Sequence, residues 1–172
     1  MPTMGFNQRE REPLGALILV LFAYSLLIFV VDAVLVAGLP WRWTRADLMM
    51  AVCVEVAARF PFWGAIVWSF LWGYVSDVFQ GRLWGVHVVS YVFVVILHRL
   101  WSAQMDTASM AYRMLLVGLG VLVQSLMSAL IVGGLGAATA VFPATGTQAV
   151  FSILAAPFVM LPIQWIMAER ER

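Results

Sequence analysis

Lysine is absent from this chain, and all ten positive charges are arginines, so any asymmetry between its two sides must be read from arginine alone. Cysteine occurs once, as Cys53, which excludes an intrachain disulfide and leaves the redox compartment open. With apolar neighbours on both sides, such a residue reads as a small core side chain. There are only two histidines, and charged residues make up 11% of the 172. No serine sits in a nucleophile elbow, and there is no phosphate loop or metal-ligand cluster at useful spacing. The arginines are scattered and the net charge is +1, which argues against a nucleic-acid surface.

What the chain has instead is apolar length. It is 63% hydrophobic with a mean hydropathy of +0.95, which a soluble domain of this size cannot carry beneath a polar surface. The composition predicts an all-α integral membrane protein. A spanning helix takes about 20 mostly apolar residues, so the spans consume nearly the whole chain and leave a single domain, 1–172, within the bilayer.

The apolar runs predict spans over 14–39, 43–60, 62–79, 84–100, 114–137 and 148–167. The first is too long for a signal-peptide core of about 7 to 15 residues and reads as a retained anchor, with Asp32 near its far end. Trp41, Arg42, Trp43 and Arg45 read as an interfacial belt. The second run is short and contains Glu55; it crosses with snorkelling arginines or is re-entrant, and Pro61 ends it in either case. The bundle therefore has six spans, or alternatively five. Trp68 and Trp72, four residues apart, read as helix packing. In the fifth span Ser125, Ala129, Gly133 and Ala137 form one row of small residues, with Gly120, Gln124 and Ser128 in a neighbouring one, a face for close internal packing or for another protein's helix. Phe142, Pro143 and Gly146 predict a turn, and Pro157 and Pro162 predict kinks in the last span. With six spans and the N-terminus inside, Arg9, Arg11, Arg59, Arg99, Arg113, Arg170 and Arg172 face the cytoplasm and Arg42, Arg45 and Arg82 the outside, so the C-terminus is cytoplasmic. A five-span chain also places seven arginines inside, so counting charges leaves both arrangements open.

The stretch from Gly73 to His87, GYVSDVFQGRLWGVH, is the chemically distinctive part. Gly73, Asp77, Gly81 and Gly85 recur every four residues, and Gly81 is suited to end a helix. A turn there brings Asp77, Arg82 and His87 together as a clamp that fixes two helices in register, because each polar group near lipid needs a partner. The same trio could hold a proton, a metal or a small polar ligand. Metal is the weakest of these, since two ligands ten residues apart lack a third. Proton-coupled transport would draw on Asp32, Glu55, Asp77 and His87.

The pattern Gly73, Asp77, Gly81, Gly85, His87, flanked by apolar helices, resembles the signature region of the bacterial rod shape-determining protein MreD family. The specific part of the resemblance runs from about Arg59 to Tyr91; elsewhere it is one of length and hydropathy. Val88 follows the histidine where the family pattern has alanine. The resemblance implies a non-enzymatic subunit without cofactor or metal, in the cytoplasmic (inner) membrane. It would scaffold MreC directly and act with MreB, RodA and a class B penicillin-binding protein in lateral-wall peptidoglycan synthesis. MreC's transmembrane helix is expected on Gly73, Gly81 and Gly85 or on the fifth-span row. The family is also similar in architecture to the substrate-binding S component of energy-coupling-factor transporters, a compact six-helix bundle. The alternative function is accordingly capture of a vitamin or metal ion.

Overall fold

The computed structural model describes residues 12–38, 46–80 and 85–168, with side chains for 15–35, 46–79, 85–131 and 145–167. The described residues are helical apart from short connections, with no strand among them. Three stretches are long and apolar enough to cross a membrane, Gly15–Leu35, Met110–Ile131 and Thr145–Met167, and Val86–Trp101 is a shorter apolar helix.

Helix α1 (Glu12–Gly38) buries a single stripe, Leu21, Ser25, Phe29 and Asp32, at the spacing of one helix face. Most of its other large side chains, among them Leu19, Leu27 and Val34, lie open on the outside, the surface that a helix crossing a membrane would turn to lipid. Phe22 meets Trp68 and Trp72 at ring-centroid distances of 6.3 and 5.5 Å, and Phe29 meets Trp72 at 5.9 Å and Phe79 at 5.2 Å. The two tryptophans thus join α1 to helix α3 (Phe62–Gln80).

Helix α2 (Leu48–Arg59) is only 12 residues long, about 18 Å at the helical rise and well short of an apolar core about 30 Å thick. Yet Leu48 to Ala57 are all buried, on every face. The segment that was hardest to place in the sequence is therefore the centre of the bundle, surrounded by α1, α3, helix α4 (Val86–Trp101) and helix α5 (Met110–Ala168). Asp47 caps its start, accepting from the Met50 amide at 2.9 Å. At its end, before Pro61, Phe60 turns to extended backbone while its amide still reaches the Val56 carbonyl at 2.9 Å.

Helix α5 has 59 residues. Straight, it would be about 88 Å long and would hold Gly118 and Ile153 about 52 Å apart. A Cβ on Gly118 would instead lie 2.7 Å from Ile153 Cδ1, so the two arms Met110–Ile131 and Thr145–Met167 lie side by side and the chain reverses between them. Helical backbone is nevertheless continuous through the turn expected at Phe142 to Gly146.

Pairwise contacts fix the directions. Asp47 meets Ser152 and Tyr91, whereas Glu55 meets Arg113 and Gln164. Asp77 meets His87, and Tyr112 meets His98 while Gln124 meets His87. Together with the α1–α3 aromatic pairs, these contacts make α1, α2, α3, α4 and the two arms of α5 run alternately up and down. Arg59, Arg99 and Arg113 gather at one end, and Asp47, Asp77 and His87 lie toward the other.

Candidate functional site

The α3–α4 junction is built on Asp77. Gly85 is the N-cap of α4 with φ of 96°, a left-handed conformation that suits glycine, and it has no side chain to satisfy the first amides of the helix. Asp77 does so from the end of α3: Oδ2 accepts from Gly85 N at 2.9 Å and Val88 N at 3.3 Å, and Oδ1 from His87 N at 3.1 Å. A carboxylate at a helix N-terminus is also favoured by the helix dipole. His87 adds the fourth contact, Nδ1 to Oδ1 at 2.8 Å. A carboxylate offers about four lone-pair sites, so Asp77 is saturated, and it is 6% exposed.

Because an ionised carboxylate only accepts, His87 Nδ1 carries the proton and Nε2 is left as acceptor for Gln124 Nε2, at 2.9 Å. The Ser128 hydroxyl donates to the Gln124 backbone carbonyl at 2.9 Å. Gln124 Oε1 is buried and has no hydrogen-bond partner among the described residues. The junction thus joins α3, α4 and the first arm of α5, and it unites two groups of residues that stand apart in the sequence. Gly81 and Arg82 lie outside the described residues, so of the expected trio Asp77 and His87 are seen to meet.

Glycine sets how closely these helices approach. A Cβ on Gly73 would lie 2.6 Å from Val88 Cα and 2.8 Å from its amide nitrogen; on Gly120 it would lie 2.6 to 2.7 Å from the tips of Met50 and Val94. Gly73→Ala must therefore push two backbones apart, with an expected loss of about 1–3 kcal/mol. Gly120→Ala meets side chains, one of them a flexible methionine, and should lose less. Thermal unfolding of the two purified variants checks the order, and equal losses would contradict it. Gly73, Gly120, Gln124, Ser125 and Ala129 are buried in the chain's own bundle, and Ser128 is half-buried; the side chain of Gly133 lies outside the described residues.

Two further polar groups lie at the ends of α2, one on Asp47, which the sequence did not single out, and one on Glu55, which it did. Asp47 accepts from the Tyr91 hydroxyl at 3.0 and 3.2 Å, and its amide donates to Ser152 Oγ at 2.8 Å. Tyr91 also stands edge-on to His87, with ring centroids 5.9 Å apart. At the other end of α2, Glu55, fully buried, meets Arg59 Nε and Arg113 Nη1 at 2.6 Å each and Gln164 Nε2 at 3.4 Å. Arg113 Nε donates to the Thr107 carbonyl at 3.1 Å. A carboxylate inside an apolar run signals that a cation must meet it at the same depth. Which cation was not legible, since Arg113 and Gln164 lie 58 and 109 residues away.

Asp47, Glu55 and Asp77 are each bound to partners on other helices, among them a tyrosine hydroxyl, an arginine and a histidine. Cys53 is 0% exposed, and no three of His, Cys, Asp and Glu come together among the described residues. Compared with protein-family models, curated proteins and solved structures, the chain finds no match in any of the three.

Proposed function

We propose that this chain is a non-enzymatic membrane subunit of the bacterial elongation (rod) complex, scaffolding MreC and the lateral-wall peptidoglycan machinery in the cytoplasmic membrane. The observation that carries this reading is the saturated carboxylate of Asp77. The stretch that bears the resemblance to the MreD family spends its acid on three backbone amides and a histidine, which suits a part that must hold shape more than one that turns over a substrate. The alternating helix directions support six crossings, with α2 as a short central pass and both termini on the arginine-bearing cytoplasmic side. MreB, RodA and a class B penicillin-binding protein complete the assembly. Since the chain's own helices fill the space beside Gly73 and Gly120, MreC's helix meets the outer, lipid-facing surface of the bundle and not those glycines.

Depletion of the protein in its own host, with new wall labelled and cell shape imaged, tests the proposal. Rounding and loss of lateral incorporation are expected, together with co-purification of an MreC homologue. Normal rods that fail only when a vitamin or trace metal is withheld would overturn it in favour of a transport subunit resembling an S component.

A further inference from the structure

At the arginine-bearing end, a cavity of about 220 Å³ opens between the last turns of α2 and α4 and the loop that follows α4. That volume is below the range of about 300–1,000 Å³ usual for small-molecule sites, and suits a headgroup better than a whole metabolite. Apolar Ala57, Ala58, Phe60, Phe62 and Val95 line it together with polar His98, Arg99, Ser102 and Thr107.

The charges around it are unevenly committed. Arg59 and Arg113 are both bound to Glu55. The Arg99 side chain is exposed, and its guanidinium makes no hydrogen bond or ion pair among the described residues. His98 Nδ1 and the Tyr112 hydroxyl pair at 3.1 Å; with the hydroxyl donating, the ring proton sits on Nε2, which has no other partner among the described residues. The acid in the adjoining loop, Asp106, is exposed and accepts from Ala108 N. The Ser102 hydroxyl is given to the Arg99 backbone carbonyl at 2.9 Å, so the uncommitted donors are the Arg99 guanidinium and His98 Nε2–H, and a guanidinium matches the oxygens of a phosphate.

The level of the cavity identifies the source of that phosphate. Trp63, in the first turn of α3, and Trp165, one residue beyond the Gln164 that reaches Glu55, are 76% and 81% exposed, and Trp101 closes α4 at the same end. Tryptophans around one end of an apolar bundle mark the headgroup layer. We propose that the cavity seats the phosphate of an anionic phospholipid, held by Arg99 and His98, with the start of an acyl chain against Ala57, Phe60 and Val95. The assignment is independent of the scaffold reading, because it rests on a different end of the molecule.

Native mass spectrometry of the full chain released from nanodiscs tests it, with phosphatidylglycerol and phosphatidylcholine present in equal amounts. Phosphatidylglycerol should be retained about tenfold over phosphatidylcholine, and Arg99→Gln should remove most of that preference, the scale expected for one charge-assisted contact. Since Arg99 is exposed, the variant should unfold at the wild-type temperature. Ala58→Phe, which narrows the cavity and keeps Arg99, should also lower retention. Equal retention of the two lipids, or unchanged preference in Arg99→Gln, would overturn the site. Full displacement of phosphatidylglycerol by millimolar inorganic phosphate would overturn the lipid as its source in favour of a soluble phosphate compound.

Discussion

Asp77→Leu is expected to lower the stability of the folded protein by about 3–5 kcal/mol, the scale for removing one member of a buried charged contact. The loss comes from what is left behind. Three amides at the start of α4 and the His87 ring lose their acceptor at once, and polar groups left unpaired on burial are costly. Asp77→Asn keeps one carbonyl oxygen and should lose less. The measurement is unfolding of the purified protein in mixed detergent followed by tryptophan fluorescence, with hydrogen exchange read at Gly85, His87 and Val88. If those amides stay protected in the leucine variant, the carboxylate is not their cap. Under the rod-complex reading, the same variant should also weaken co-purification with MreC.

Glu55→Leu is the second large effect. It strands Arg113, whose side chain is 9% exposed, whereas Arg59 at 25% can turn toward water. A loss of about 3–5 kcal/mol is expected for a buried cation without its counter-charge. The double variant Glu55→Leu with Arg113→Met should recover most of it, because replacing a whole buried ion pair with apolar groups is often close to neutral. Unfolding of the wild type, both single variants and the double variant gives the coupling between the two residues. Additive losses would mean that Glu55 and Arg113 do not depend on one another.

These two carboxylates differ in how far the sequence revealed them. Asp77 and His87 flank a turn only a few residues long, so their meeting follows from chain connectivity. Its role as a cap does not, because capping rules look to the residue just before a helix, and here that residue is Gly85, while the carboxylate comes from 8 to 11 residues upstream. Gln124 was visible as the amide in a row of small residues; its partner His87 follows only from the antiparallel pairing of α4 with the first arm of α5. Likewise Gly73 and Gly120 were legible as sites of close approach, but not which backbone or side chain approaches them.

Apolar length by itself determined an all-helical chain with helices long and apolar enough to cross a membrane, and the glycine pattern the junction around Gly73 to His87, because hydropathy, glycine and proline act over a few residues at a time. Tertiary structure alone decided that the shortest and least convincing segment, α2, is the buried centre. A helix of 12 residues cannot reach both faces of a bilayer unaided. Surrounded by longer helices it has no need to, and its polar ends, Asp47 and Glu55, are satisfied by Tyr91, Ser152, Arg113 and Gln164, brought from distant parts of the chain.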